Sequence, residues 1–547
     1  MNPQPGVRPV WALALVCGSV CGSVCGSALF AGASRELTGR VVDLQTGAPI
    51  SHARVTVRIF QPGNQPIEAT LLTDGAGAFS LWNVPEGSYQ ISGEKAGYLR
   101  NDGSGTIQQQ GSLTSDGKPA PVILPLTPQG VIEGSVVDEK GGAAPSVTVH
   151  LLRWTVVEGL GRYQSAASAQ TDEMGSFRIF DLVAGRYCAV ATGHAIPGSR
   201  TKRLAYPEVF YPHAADVNSA PPIELKPGQE QAIRISLPEP IPAREVRGQV
   251  VNAGQNLSVQ LRRGPTDSYP WSPNFNYFVD PKTQTFRISG VTPGVYTLEA
   301  TAQVENSQRR ASTTVTVGDA DVTGIRLECA PPAGLSGTLR VDGQGQPVYP
   351  VISLRSPHFQ FATQVDGDGS FKFSDLPMDT YRVVIQAGTA YIRSVRQGAR
   401  DVLRDGLVIA AGTPQEPIEI VLGTHGASIE GTVAFPGSSQ TSSAVVALFC
   451  RAGGEMVLDR QVFVNRSLPA GTTSVSGLPA IQGGARFTIQ GVAPGDYVLY
   501  AWPSDAQIEY ANPAFMRQYD SLGMSVTVTG DAKVTVGIDR LLPKTDW

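Results

Sequence analysis

The chain has 547 residues, 41% hydrophobic and 16% charged, with 60 glycines and 41 prolines, which suits several separately cored, turn-rich domains. A formal net charge of −4, with no Lys/Arg cluster beyond pairs such as Arg309-Arg310, excludes the basic footprint of a protein that binds nucleic acid or an anionic membrane surface.

In chain order the first element is an export signal over residues 1–33. Arg8 precedes a small and apolar stretch from Val10 to Phe30, and Ala31-Gly32-Ala33 supplies an A-x-A cleavage pattern, so the mature chain is expected to begin at Ser34. Left uncut, the stretch is about long enough to span a membrane; after cleavage no transmembrane segment is expected. Cys17, Cys21 and Cys25 each follow Val, where a lipobox needs Gly, Ala or Ser. Cleavage leaves Cys188, Cys329 and Cys450, an odd and scattered set that argues against a disulfide framework. Cys188 and Cys450 lie in apolar runs and are expected to be buried as small hydrophobes.

From Ser34 onward one pattern is written five times. Each repeat opens on a strand with a central glycine: Thr38-Gly39-Arg40-Val41-Val42, Glu133-Gly134-Ser135-Val136-Val137, Arg247-Gly248-Gln249-Val250-Val251, Ser336-Gly337-Thr338-Leu339-Arg340 and Glu430-Gly431-Thr432-Val433-Ala434. A β-branched second strand follows, for example Val55-Thr56-Val57 and Val147-Thr148-Val149. Then come a Phe, nine residues and a Tyr: Phe79/Tyr89, Phe177/Tyr187, Phe286/Tyr296, Phe371/Tyr381 and Phe487/Tyr497. Within that interval Phe79, Leu81 and Val84 supply an inward face, Pro85-Glu86-Gly87 turns the chain, and Tyr89 and Ile91 begin the next strand. The invariant spacing fits a tyrosine corner, with the ring in a core and the hydroxyl on nearby backbone.

The run Thr73-Asp74-Gly75-Ala76-Gly77-Ala78-Phe79, continued to Pro85-Glu86-Gly87-Ser88-Tyr89 and Gly97-Tyr98, resembles the carboxypeptidase regulatory-like domain. The match is strongest in repeats one, two and four and weakest in three, which lacks the Asp-Gly-x-Gly turn. The resemblance implies an all-β chain of five tandem seven-strand Greek-key β-sandwiches of the prealbumin/transthyretin-like type, grouped with carbohydrate-binding-like folds. The expected boundaries are 34–127, 128–240, 241–330, 331–424 and 425–547. The tails Tyr206 to Leu237 and Tyr510 to Pro543 also resemble segments that follow such domains in secreted bacterial proteins.

Enzymes that share this domain carry a separate zinc peptidase domain with an H-x-x-E motif, and none of the six histidines here has Glu at the third following position. Nor does the sequence contain an H-E-x-x-H, a G-x-S-x-G, a P-loop or a C-x-x-C pair in its mature part. Ser115-Asp116-Gly117-Lys118 matches S-x-x-K but sits in a Gly/Pro/Ser loop. Asp366-Gly367-Asp368-Gly369-Ser370 resembles a calcium loop without its closing Glu and reads as a hairpin turn. No catalytic, cofactor or metal residue is therefore expected, and the chain reads as an exported, non-enzymatic structural or interaction protein in the periplasm, at the cell surface or outside. The second reading is carbohydrate binding. Strand alternation turns Trp82 and Phe180 away from the core at a position where the other repeats carry Ser289, Ser374 and Gln490. Such rings suit either a neighbouring module or the apolar face of a sugar, and the candidate partners are a polysaccharide or a cell-envelope protein.

Overall fold

A computed structural model describes residues 36–543 apart from 62, 64, 100–107, 114–120, 158, 193–203, 264–274, 305–306, 331–332, 343–349, 357–358, 387, 404, 411–414, 436–442, 453–454, 466–483 and 505. The expected export signal with its three cysteines, and the S-x-x-K match, lie outside the described residues. The chain divides into two compact units, 1–127 and 128–547.

Among the described residues of the first unit seven strands form two sheets. Glu36–Asp43 lies between antiparallel Ala78–Trp82 and parallel Val122–Leu126, while Ile67–Leu72, Arg54–Phe60, Gly87–Glu94 and Gln108–Leu113 pair in that order. Two consecutive pairs, Arg54–Phe60 with Ile67–Leu72 and Gly87–Glu94 with Gln108–Leu113, are hairpins within one sheet, and the other connections cross between the sheets, which is how a Greek-key sandwich is built. Leu37 and Val41 from one sheet meet Val55, Val57, Ile59 and Ile91 from the other, all buried. Two-residue periodicity places these side chains inside and Thr38 and Arg40 outside.

The second unit repeats this arrangement over successive stretches, with separate core clusters spanning residues 132–237, 246–329, 333–422 and 427–528. In each, an opening strand pairs antiparallel with the strand that carries the repeated Phe and parallel with the last strand of the segment. The whole is an all-β, multi-domain sandwich protein. The third segment departs from the others at one strand. Asn276–Asp280 pairs with Thr285–Val291 in the sheet of the opening strand, whereas the matching strands of segments one and four pair with the second strand. The sequence explains it. Lacking Asp-Gly-x-Gly, this repeat closes a direct hairpin in which Asp280 Oδ1 accepts from the backbone N–H groups of Lys282 and Thr283 at 2.9 and 3.4 Å.

The repeated residues all have packing roles. Every opening-strand glycine is the direct cross-strand partner of the repeated Phe: Gly39 with Phe79, Gly134 with Phe177, Gly248 with Phe286, Gly337 with Phe371 and Gly431 with Phe487. A Cβ at Gly248 would lie 2.7 Å from Phe286 Cζ, so the ring occupies space that any side chain would need. The tyrosine corner is present as expected in four segments. The hydroxyls of Tyr187, Tyr296, Tyr381 and Tyr497 donate to the carbonyls of Val183, Thr292, Pro377 and Ala493 at 2.5, 2.8, 3.0 and 2.9 Å. The Thr-Asp pair ahead of the Phe closes the preceding turn. Buried Thr73 Oγ1 donates to the Ile50 carbonyl at 2.7 Å and accepts from Ala53 N, and Asp74 Oδ1 accepts from Ala76 N and Ala78 N. Thr171 and Asp172 repeat every one of these bonds.

The fifth segment adds a second apolar layer. Asn512 caps a short helix, Pro513–Met516, and the chain from Ala506 to Tyr519 covers the outer face of the sheet that holds Gly495–Pro503. There Trp502 is fully buried, stacked on Tyr500 at 5.3 Å and edge-on to Tyr519 at 5.4 Å. The hairpin Thr148–Val157/Leu160–Gln170 of the second segment meets this tail. Val156 N donates to Gln507 Oε1 at 2.8 Å, and Ala511 N donates to the Gly159 carbonyl at 2.8 Å. Gly159 has φ +77° and abuts the Tyr510 ring, so this turn requires glycine on both conformational and steric grounds.

Candidate functional site

The strand that carries the repeated Phe ends in a kink. Asn83, Asp181, Gly290, Asp375 and Gly491, each four residues after the Phe, all have positive φ, between 58° and 89°. In repeats one, two and four the residues before and at the kink are both exposed, and in all five repeats the next one returns to the core: Val84, Leu182, Val291, Leu376 and Val492 are all buried. This local bulge holds the side chain three residues after the Phe away from the sandwich. Trp82 is 61% exposed and Phe180 60% exposed, the outward orientation expected from strand alternation.

The surroundings of the two rings differ. Trp82 is the cross-strand partner of Glu36, whose Oε1 accepts from Ser80 Oγ at 2.6 Å. On the same sheet a shallow depression lies between Thr38, Arg40, Ser80 and Ile123, with Leu72 at its rim. Ile123 and Leu72 are 59% and 63% exposed, so the face is apolar with a polar edge. Phe180 stands two residues from Arg178, which pairs with Glu133 on the adjacent strand and with Glu230 at 2.7 Å one strand further. Hydrogen bonds to Glu230 and Glu133 hold the Arg178 guanidinium above its ordinary pKa, and Arg178 in turn lowers that of Glu230. These half-exposed ion pairs run across three strands of the sheet whose edge strand carries Phe180.

Other residues singled out by the sequence have structural roles. Cys188 and Cys329 are buried and Cys450 is half-buried, and all three are free thiols. Burial pushes the Cys188 thiol up to about 12, far from the thiolate range of a nucleophile. In the acidic loop Asp366 N donates to the Ser370 carbonyl at 2.8 Å and Ser370 N to Asp368 Oδ1 at 2.9 Å, which makes it a hairpin turn. Among the described residues no three of His, Cys, Asp and Glu gather in a way that would hold a metal ion.

The geometry defines a class of protein, a series of β-sandwiches with aromatic side chains held on outer sheet faces. Within it residues 36–116 match the family model of the carboxypeptidase regulatory-like domain, so the first segment carries that domain. No curated protein matches the chain. Among solved structures it is similar to the minor pilin GBS52 of Streptococcus agalactiae, with 15% identity over 38% of this chain and 98% of that one and a TM-score of 0.20. The shaft pilin SpaA of Lactobacillus rhamnosus GG gives 12% identity over 38% and 99% with a TM-score of 0.19. The Bacillus anthracis TIE protein gives 11% over 73% and 75% with a TM-score of 0.16.

Proposed function

We propose that the chain is an exported, non-catalytic interaction protein, a series of five self-sufficient sandwiches over 34–127, 128–240, 241–330, 331–424 and 425–547 that space and display binding faces. The observation that supports this reading most is the use of the repeated residues. The Gly/Phe contact, four of the tyrosine hydroxyls and the Thr-Asp turns are all engaged in packing or in bonds to backbone, which leaves the variable outward positions for recognition. Export is tested by amino-terminal sequencing of the protein recovered from the producing bacterium. The expected terminus is Ser34, and a retained Met1 contradicts it.

The exposed rings of Trp82 and Phe180 favour a specific form of this reading, in which each ring, on its own sandwich, stacks on a pyranose ring of a polysaccharide partner. Co-sedimentation of the mature chain with insoluble, uncharged cell-envelope and plant polysaccharides tests it. Wild type is expected in the pellet, and the Trp82→Ala/Phe180→Ala variant, unchanged in melting temperature, in the supernatant. Equal retention of both proteins, or retention of neither on any polysaccharide, assigns the rings to a protein partner instead.

A further inference from the structure

The third segment carries a different outward face. Its switched strand widens the sheet to four strands, ordered Asn276–Asp280, Thr285–Val291, Arg244–Val251 and Val322–Glu328. Pairing aligns Phe278 with Arg287 and Arg287 with Arg247, and in the next row Thr285 with Gln249 and Gln249 with Arg326. Three guanidiniums, a phenyl ring and an amide thus converge on a shallow open depression floored by Gly324, where the absent side chain leaves room.

The charges on this face are unequally compensated. Arg247 is tied by its Nε to Glu245 Oε2 at 2.6 Å, and Glu245 is buried. Arg287 lies over the Phe278 ring, 5.7 Å from its centroid, and Phe278 is itself 56% exposed. Among the described residues no carboxylate lies within ion-pair range of Arg287 or Arg326. The nearby acids are otherwise engaged: Asp280 accepts from its own turn, and Glu328 Oε1 accepts from Asn252 Nδ2 at 3.2 Å. Two free guanidinium forks, two strands across and two residues along the sheet or roughly 12 Å apart, therefore face solvent beside an exposed aromatic ring.

We propose that this face binds an acidic polysaccharide through the carboxylates of uronate sugars. Guanidinium forks take carboxylates in paired hydrogen bonds, and a uronate polymer presents such groups at regular intervals along a stiff chain. Arg287 and Arg326 hold two of them. Phe278 carries the apolar face of the intervening or terminal ring, while Gln249 and Thr285 supply hydroxyl partners. The single observation behind this is the pairing of two uncompensated arginines with an exposed phenyl on one flat sheet face. It involves neither Trp82 nor Phe180.

The test is affinity electrophoresis of the full mature chain through gels containing polygalacturonate, at physiological salt, with neutral dextran as reference. Wild type is expected to be retarded by polygalacturonate and not by dextran. Arg287→Gln/Arg326→Gln and, separately, Phe278→Ala are expected to weaken retardation by about tenfold or more. All three substituted side chains are exposed, so both proteins should melt as wild type does. Trp82→Ala/Phe180→Ala should leave the retardation unchanged, which separates this site from the rings above. Equal retardation of wild type and the arginine variant overturns the proposal. So does equally strong retention by duplex DNA, which would mark the face as a general cation patch.

Discussion

Replacing Phe371 by alanine is expected to destabilise the fourth core by about 3–5 kcal/mol and to leave the other cores folded. The ring is 3% exposed, packs against the backbone of Gly337 and meets Phe373 edge-on at 6.1 Å. Neither contact is replaceable from nearby. The glycine has no side chain to fill the void, and Phe373 is held by its own place in the core. Limited proteolysis should therefore cut first between Gly334 and Gly423. Cuts appearing at the same rate in all five segments would show that the cores do not stand alone.

Trp502→Ala is expected to have a comparable cost, again about 3–5 kcal/mol, with a different outcome. Trp502 faces the added layer, away from the sandwich core that contains Phe487 and Tyr497. Losing the indole removes the surface on which Tyr519 and the capped helix rest, so the chain from Ala506 to Tyr519 should detach while the sandwich persists. The bonds from Val156 to Gln507 and from Ala511 to Gly159 would go with it. Hydrogen exchange should show the Val156 amide losing protection while the amides of Ser443–Ala452 keep theirs. Protection retained at Val156 would show that the hairpin is held by something other than this tail.

Much of the fold was readable because one local pattern recurs at fixed spacing. Alternating apolar residues, a Phe set against a glycine and a Tyr placed one turn later specify two strands and a corner wherever they occur. The outward position of Trp82 and Phe180 followed from alternation alone. The kink that holds them there did not, although its signal was present as an Asn, Asp or Gly always four residues after the Phe. The covering layer of the fifth segment was also missed. The run Tyr497 to Trp502 is apolar at every position, the mark of a strand buried on both faces, where a half-solvated strand would alternate. The arginine face of the third segment had no local signal. Arg247, Arg287 and Arg326 are far apart in sequence, and only a strand pairing peculiar to that segment brings them together with Phe278.

The central claim is that one packing pattern, repeated along the chain, builds self-sufficient cores whose outer faces are then free to diverge. Hydrogen exchange of the unsubstituted mature protein, followed strand by strand as urea is raised, tests it most directly. The account predicts that strands sharing a core lose protection together and that different cores do so at different urea concentrations, with Glu36–Asp43 and Val122–Leu126 behaving as one set and Ala333–Asp342 and Ile418–Gly423 as another. A single urea midpoint shared by every strand from residue 36 to residue 538 would contradict it.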